Sequence, residues 1–273
     1  MAIVKLGDIC EKIGSGATPR GGKESYCAVG VSLIRSQNVL DFSFSTNGLV
    51  FINNEQTRKL GSVEVQAGDI LLNITGDSVA RACEVDATFL PARVNQHVAI
   101  IRGNTNHVLN KYILYFLQWK KNYLLQLASA GATRSALTKG MIEQLEINLP
   151  TLENQRKVVE TLDSLQKKIN LNQKVNDNLL AQAQTLYKQF FPYSVQDDLP
   201  DGWRIGTVGE IIEIHDSKRI PLSGADRAKM EKKIYPYYGA ASLMDFVDNY
   251  IFDGKYLLLG EDGTVVDDAG YPI

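Results

Sequence analysis

Side chains able to read or alter another molecule gather in a few short segments of this chain. NQHVAIIR, Asn95–Arg102, sets two carboxamides and an imidazole ahead of an apolar run. Asn and Gln amides pair bidentately with adenine, and an Arg guanidinium with guanine, in the major groove of DNA. Asn95, Gln96 and His97 can equally satisfy backbone groups where a strand begins. The same two readings apply to Arg35, Gln37 and Asn38 in SLIRSQNV, and to Thr133 and Arg134 in SAGATRSAL.

A second segment, GSGATPRGGK (Gly14–Lys23), has the texture of a phosphate loop. Such loops use Gly so that backbone N–H groups can turn inward on the anion, followed by Gly-Lys-Ser/Thr. Here Ala17 interrupts the glycines and Glu24 replaces the hydroxyl residue, where its carboxylate would repel a phosphate. Two readings remain, a solvated turn or a loop that lays Arg20 and Lys23 against a DNA backbone. No G-x-S-x-G elbow accompanies the Ser, His and Asp residues, so nucleophilic catalysis finds no support. His97, His107 and His215 are isolated, and Cys10, Cys27 and Cys83 form no C-x-x-C pair, so no zinc set is expected. Glu261, Asp262, Asp267 and Asp268 read as a solvated turn around Gly263 rather than a metal site.

Charge limits the DNA reading. The 273 residues carry a formal net charge of −2. Residues 1–150 hold 15 Lys/Arg against 12 Asp/Glu, residues 151–200 hold 6 of each, and residues 201–273 hold 8 against 13. A protein bound by phosphate attraction alone would be far more positive. Base contacts or a basic partner must therefore supply part of any affinity. Three widely spaced cysteines fit a reducing cytoplasm. The opening MAIVKLGDIC lacks the charged and apolar regions of an export signal, and no apolar run approaches the roughly 20 residues of a membrane span.

Three regions position these segments. Residues 1–150 alternate short β-type runs (Ser32–Ile34, Val63–Val65, Ile70–Ile74, His97–Ile101) with one helical stretch, Lys111–Ala128, which predicts an α+β domain. Residues 151–191 contain no Gly or Pro after Pro150, and predict one long helix with an apolar stripe: Val158, Leu162, Leu165, Ile169, Val175, Leu179, Ala183, Leu186 and Phe190. Asn172 and Asn176 interrupt that heptad-like seam. A lone rod cannot bury its own stripe, so a second helix must cover it. Residues 192–202 read as a linker. From 203 the chain echoes its start: Ile3, Leu6, Gly7, Asp8 and Ile9 align with Ile205, Val208, Gly209, Glu210 and Ile211. GDILLNITGDSV (Gly68–Val79) is likewise echoed by DGKYLLLGEDGTV (Asp253–Val265), each reading as a strand that runs into a Gly-acid turn.

In order, KLGDI, SGATP, LIRSQNV, GDILLNITG, NQHVAIIR and SAGATRSALTKGMIEQLEINLP resemble the specificity subunits of Type I restriction-modification systems. Leu149, Pro150, Leu152, Gln155 and Val158, followed by the rod, form the most specific part, and GEDGTV (Gly260–Val265) resembles the family's second recognition domains. The resemblance covers essentially the whole chain. It implies a first target recognition domain over 1–150, a spacer helix over 151–191, a linker over 192–202 and a partial second recognition domain over 203–273. It further implies a non-catalytic subunit that reads one half of a split double-stranded DNA site. Methyltransferase subunits would carry S-adenosylmethionine and restriction/translocase subunits the ATP-driven motor, with no cofactor on this chain. Thr18, Arg20, Lys23, Arg35, Gln37, Asn38, Thr75, Asn95, Gln96, His97, Thr133 and Arg134 are then the expected DNA contacts. Full members finish the second domain and add a second helix, so this chain is expected to be truncated. Its helix would pair with that of another copy, another specificity chain or a methyltransferase. The alternative expectation is an interaction protein that does not read DNA usefully.

Overall fold

ILLN (Ile70–Asn73) and VAII (Val98–Ile101) are apolar without alternation. A strand covered on one face alternates, whereas an unbroken apolar run needs cover on both. The computed structural model, which describes residues 2–19, 21–129, 135–194, 197–239 and 243–260, supplies that cover. The chain divides into two units, Met1–Leu186 and Tyr187–Ile273.

The first unit opens with β1 (Ala2–Lys5), a single turn α1 (Leu6–Ile9) and β2 (Cys10–Ser15). There follow β3 (Tyr26–Cys27), β4 (Val31–Ile34), β5 (Val50–Ile52), α2 (Asn54–Lys59), β6 (Glu64–Val65), β7 (Ile70–Asn73), β8 (Ala82–Glu84), β9 (Ala92–Val94) and β10 (Val98–Gly103). Helices α3 (Asn110–Trp119), α4 (Lys121–Ser129) and α5 (Lys139–Glu143) lead to β11 (Glu146–Leu149) and the long helix α6 (Leu152–Phe190).

Strands β7 and β10 are the inner pair of a four-stranded antiparallel sheet, β2-β10-β7-β8. Ile70, Leu72, Ala99 and Ile101 enter one core with Ile113, Leu117 and Leu124 of α3 and α4. Leu71, Val98 and Ile100 enter a second core, against Leu33, Ile34, Val65 and Val94 of the sheet β3-β5-β4-β9-β6. The unit is thus three layers, helices on sheet on sheet, with mixed strand directions. β4 and β9 run parallel, Ser32 beside Ala92 and Ile34 beside Val94, so their C-terminal ends emerge together. The helix predicted over Lys111–Ala128 is two helices divided at Lys120. No Gly or Pro marks the break.

β1 pairs with β11, Ala2 opposite Leu149 and Lys5 opposite Glu146, which closes the unit with its own ends. α6 starts directly after this pair. Its first turns are docked, with Gln155 and Val159 buried and Leu162 half-buried. Its other predicted packing residues, Val158, Leu165, Ile169, Val175, Leu179, Leu186 and Phe190, are exposed.

Among the described residues of the second unit are a short helix α7 (Gly224–Ala228) and the antiparallel pair β12 (Tyr235–Tyr238) and β13 (Leu243–Val247). The sequence echo is only partly an echo of structure. Leu6 and Ile9 are buried, yet their counterparts Val208 and Ile211, on a short 3₁₀ turn, are 66% and 83% exposed. The strand expected after Asp253 is absent among the described residues: Lys255–Leu259 is irregular and Leu257 is 96% exposed. In the first unit the matching run, β7, is held by β8 and β10, and within the described second unit no strand flanks this one. Among the described residues no helix is long and apolar enough to cross a membrane.

Candidate nucleic-acid interface

Five chain segments converge on one edge of the first unit. They are the exits of β2, β4 and β7, the β9–β10 turn, and residues 135–137. Backbone hydrogen bonds tie them together. Gly16 N–H donates to the Val98 carbonyl (2.9 Å) and Ala17 N–H to that of Val94 (3.1 Å). Asn95 N–H donates to Ile34 (3.0 Å), Ile74 N–H to His97 (3.0 Å) and Leu137 N–H to Ile74 (2.8 Å). Thr75 forms an antiparallel bridge with Ala136. SGATP, LIRSQNV, NITG, NQHV and the end of SAGATRSAL are therefore neighbours in space although far apart in sequence.

The glycine-rich segment is not a phosphate cradle. The Gly16 and Ala17 N–H groups are spent on the strands beside them. Gly16 is required by contact: a Cβ there would lie 1.9 Å from the Val94 carbonyl oxygen. Thr18 follows on the exposed surface. Arg20, Thr133 and Arg134 lie outside the described residues, as does the Lys23 side chain and the acidic set Glu261, Asp262, Asp267 and Asp268.

Two expected contacts are structural instead. Asn38 is fully buried; its side-chain oxygen accepts from Arg35 N–H (3.0 Å), and its amide donates to the carbonyls of Ser45 (2.9 Å) and Asn47 (3.1 Å). It pins the 38–48 loop and has no free edge for a base. Asn95 is 8% exposed and its oxygen accepts from His97 N–H (3.1 Å), so it builds the β9–β10 turn. Burial without such bonds would cost dearly, and this explains why the Asn38 amide and the Asn95 oxygen are bonded within the protein.

What the edge presents is Gln96, His97 and Thr75, with Arg35 and Gln37 beside them. Thr75 Oγ1 lies 2.6 Å from His97 Nδ1, and Gln96 Nε2 lies 3.0 Å from His97 Nε2. An amide nitrogen only donates, so in this arrangement Nε2 is the acceptor, Nδ1 carries the proton and Thr75 Oγ1 accepts it. Gln96 is exposed, and its remaining N–H and its carbonyl oxygen are left facing outward. Arg35 is half-buried, bonded to the Gly48 carbonyl, with its guanidinium 5.5 Å from the Tyr26 ring centroid and its Nε buried without a partner. Gln37 donates to the Asn47 carbonyl (3.1 Å), and Gly48, at φ +62°, leaves room that a Cβ would take 2.1 Å from the Gln37 amide.

Asn73 is a supporting residue that pattern reading missed. It is fully buried and donates to the carbonyls of Ser36 (2.9 Å) and Val39 (3.2 Å), which holds the β4 exit against β7. A polar residue closing the apolar run ILLN was the available signal. Arg102, at the end of NQHVAIIR, is turned away from reading: its guanidinium is bound to Asp69, a carboxylate whose side chain is 1% exposed. That bond raises the Arg102 pKa, against the cost of burial. Lys12, beside it, is lowered by burial and by the Arg102 charge. Arg93 pairs with Glu64 at 3.2 Å. Among the described residues no three His, Cys, Asp or Glu side chains gather to hold a metal ion.

Residues 1–181 match the family described as the Type I restriction modification DNA specificity domain. A Methanocaldococcus jannaschii protein named as the type I restriction enzyme MjaX specificity subunit is 22% identical over 221 residues, 75% of this chain and 51% of that protein. The HindI specificity subunit of Haemophilus influenzae is 27% identical over 130 residues, 46% of this chain and 28% of that one. A solved structure described as the basis of complex assembly and conformational transition of the type I R-M system superposes with a TM-score of 0.53 at 20% identity. It covers 69% of this chain and 44% of its own, and shares the fold. The chain spans about half the length of the first of these curated relatives.

Proposed function

The chain belongs to the Type I restriction-modification DNA specificity family, a non-catalytic family, and from that premise we propose that residues 1–150 read one half of a split double-stranded DNA site. On this reading residues 151–191 are the spacer, 192–202 a linker and 203–273 the start of a second recognition domain. Methyltransferase and restriction subunits dock on the assembly and carry S-adenosylmethionine and ATP, and this chain tells them where to act.

The observation that carries the reading is the chain of contacts from Thr75 through His97 to Gln96. A free Gln amide spins; this one has one N–H engaged, so its other N–H and its oxygen are presented side by side. That is the donor-acceptor pair which meets N7 and N6 of adenine. Rotamer freedom is lost before DNA arrives, which lowers the cost of binding. The modest charge of residues 1–150 fits a reader that depends on base contacts and borrows phosphate attraction from basic partners.

The test is reconstitution with methyltransferase subunits and mapping of the methylated bases. One fixed motif half, relaxed at one base position in Gln96→Ala, is expected; methylation without any motif from a folded complex overturns the reading. The exposed seam of α6 favours a second reading, an interaction protein that reads nothing. A stable methyltransferase complex with no DNA preference in a gel shift would select it.

A further inference from the structure

Both ring nitrogens of His97 and both ends of its backbone are committed. Its N–H donates to Asn95 Oδ1 (3.1 Å), and its carbonyl accepts from Ile74 N–H (3.0 Å). The half-buried ring lies between Thr75 Oγ1, 2.6 Å from Nδ1, and Gln96 Nε2, 3.0 Å from Nε2. Thr75 is held as firmly. It bridges Ala136; the Ile74 carbonyl accepts from Leu137 N–H (2.8 Å), and Gly76 N–H donates to the Ser135 carbonyl (3.2 Å). On the other side Asn73 lies opposite Val98 in the sheet. The β7 exit, the β10 entry and residues 135–137, remote in sequence, thus deliver one hydroxyl to Nδ1.

A neutral imidazole carries one proton, so one of its nitrogens donates and the other accepts. A hydroxyl can also donate to a bare Nδ1, but the amide nitrogen on Nε2 rules that out in this arrangement. With the proton on Nδ1, only the nitrogen end of the Gln96 amide can face Nε2. With the proton on Nε2, the oxygen end must face it, and the amide turns over. Turning exchanges the places of the outward donor and acceptor. Adenine offers N7 and N6 in one order, so one amide orientation meets it donor to acceptor and the other sets like against like. A carboxylate in place of Thr75 would also hold the Nδ1 proton. It would, however, favour the imidazolium, in which both nitrogens donate, and repel phosphates.

We propose that Thr75 is a positioning residue: by holding the His97 proton on Nδ1, it fixes the order in which Gln96 presents its N–H and its oxygen to a base. This role rests on the reading of Gln96 as a base contact. Thr75 acts in it through the imidazole and not by touching the base itself.

The full chain, labelled with ¹⁵N-histidine and free of DNA, is placed at about pH 8, above the ordinary imidazole range. Proton–nitrogen spectra then tell a protonated ring nitrogen from a bare one, and the His97 signal is identified by its loss in His97→Asn. The proton is expected on Nδ1 in the unsubstituted chain and in Thr75→Ser, and is expected to move toward Nε2 in Thr75→Val. The same chains, joined to methyltransferase subunits, are titrated with duplexes that differ at one base pair. Thr75→Val should lose roughly ten-fold of the preference for adenine there, and Thr75→Ser should keep it. Added to Gln96→Ala, Thr75→Val should change that base pair no further. Thr75→Ala supplies the same comparison if the valine chain melts early. A proton on Nε2 in the unsubstituted chain overturns the proposal. So does a preference lost in Thr75→Val with the Nδ1 proton kept, a serine chain as impaired as the valine chain, or an additive loss on Gln96→Ala. Expected spectra with no base preference even in the unsubstituted complex fail the DNA reading and the role with it; a base preference with the wrong tautomer fails the role alone.

Discussion

The Gln155 carboxamide accepts the Leu109 N–H at 2.9 Å, and so a side chain on the first turn of α6 closes the entry to α3. Its Nε2 donates to the carbonyls of His107 and Pro150, both at 2.9 Å, and the residue is fully buried. Helix α6 is thereby tied to the rest of the first unit at its first turn.

Gln155→Leu should destabilise the first unit by about 2–4 kcal/mol, because three backbone groups lose their partner in a buried place. Urea unfolding followed by circular dichroism measures it. A loss under 0.5 kcal/mol, on the order of an ordinary surface substitution, would show that water reaches those groups.

Two turns on, Asp163 makes the same junction sensitive to acid. Burial raises its carboxyl, but hydrogen bonds from Lys111 and Tyr115, with the charges of Lys111 and Lys167, outweigh this and hold it below the usual carboxylate range. Burial and the same carboxylate push the Tyr115 hydroxyl up. A depressed folded pKa stabilises fully above the unfolded value near 3.9 and loses its contribution as pH falls through the folded value. Docking of α6 should thus be constant from neutrality to about pH 5 and weaken below about pH 4. Asp163→Asn should flatten that acid limb in a series of unfolding curves; an unchanged slope would remove Asp163 as its source.

Asp69 and Arg102 are joined at 2.7 Å with the carboxylate almost wholly buried. Arg102→Ala should cost about 3–5 kcal/mol by leaving that charge unpaired. The double change Asp69→Asn with Arg102→Met should recover most of the loss, because the uncompensated charge is gone. Equal stability of the single and double variants would argue that solvent already screens Asp69.

On the proposed reading, neighbouring residues of the β9–β10 turn should separate cleanly. Gln96→Ala should leave the melting temperature unchanged and reduce discrimination at one base by about 1–3 kcal/mol. Asn95→Ala should do the reverse, losing about 1 kcal/mol of stability through the turn it builds, with specificity blurred only as the loop loosens. Thermal melts and anisotropy titrations of reconstituted complexes on matched and single-base-changed duplexes distinguish the two.

Local chemistry made much of this legible before any coordinates. The absence of Gly and Pro between Leu152 and Phe190 left one helix as the low-energy choice, and Leu152–Phe190 is one helix. The β-type runs at Ile70 and His97 called for strands, and β7 and β10 are strands; that both are covered on two faces came from the structure. Asn38 was misplaced, and Asn95 spends its oxygen on the β9–β10 turn, because the same amide suits a base edge or a backbone pin. Sequence carries the donor and acceptor, while burial decides which partner they meet. Lys255–Leu259 failed as a strand for a related reason: an apolar run needs neighbouring strands before it pairs.

Thus residue order alone determined the periodicities, the α+β class, the long helix with its seam, and the inventory of polar groups able to read DNA. Only the tertiary structure decided which of those groups face outward. β4 and β9 run parallel and end side by side, so loops more than a hundred residues apart in sequence share one edge. Packing against two cores tied Asn38 and Arg102 to partners inside the protein and held Asn73 by its amide N–H groups, its oxygen staying buried without a partner. Gln96 stayed exposed with one N–H on His97, because burial favours internal hydrogen bonds and exposure does not require them.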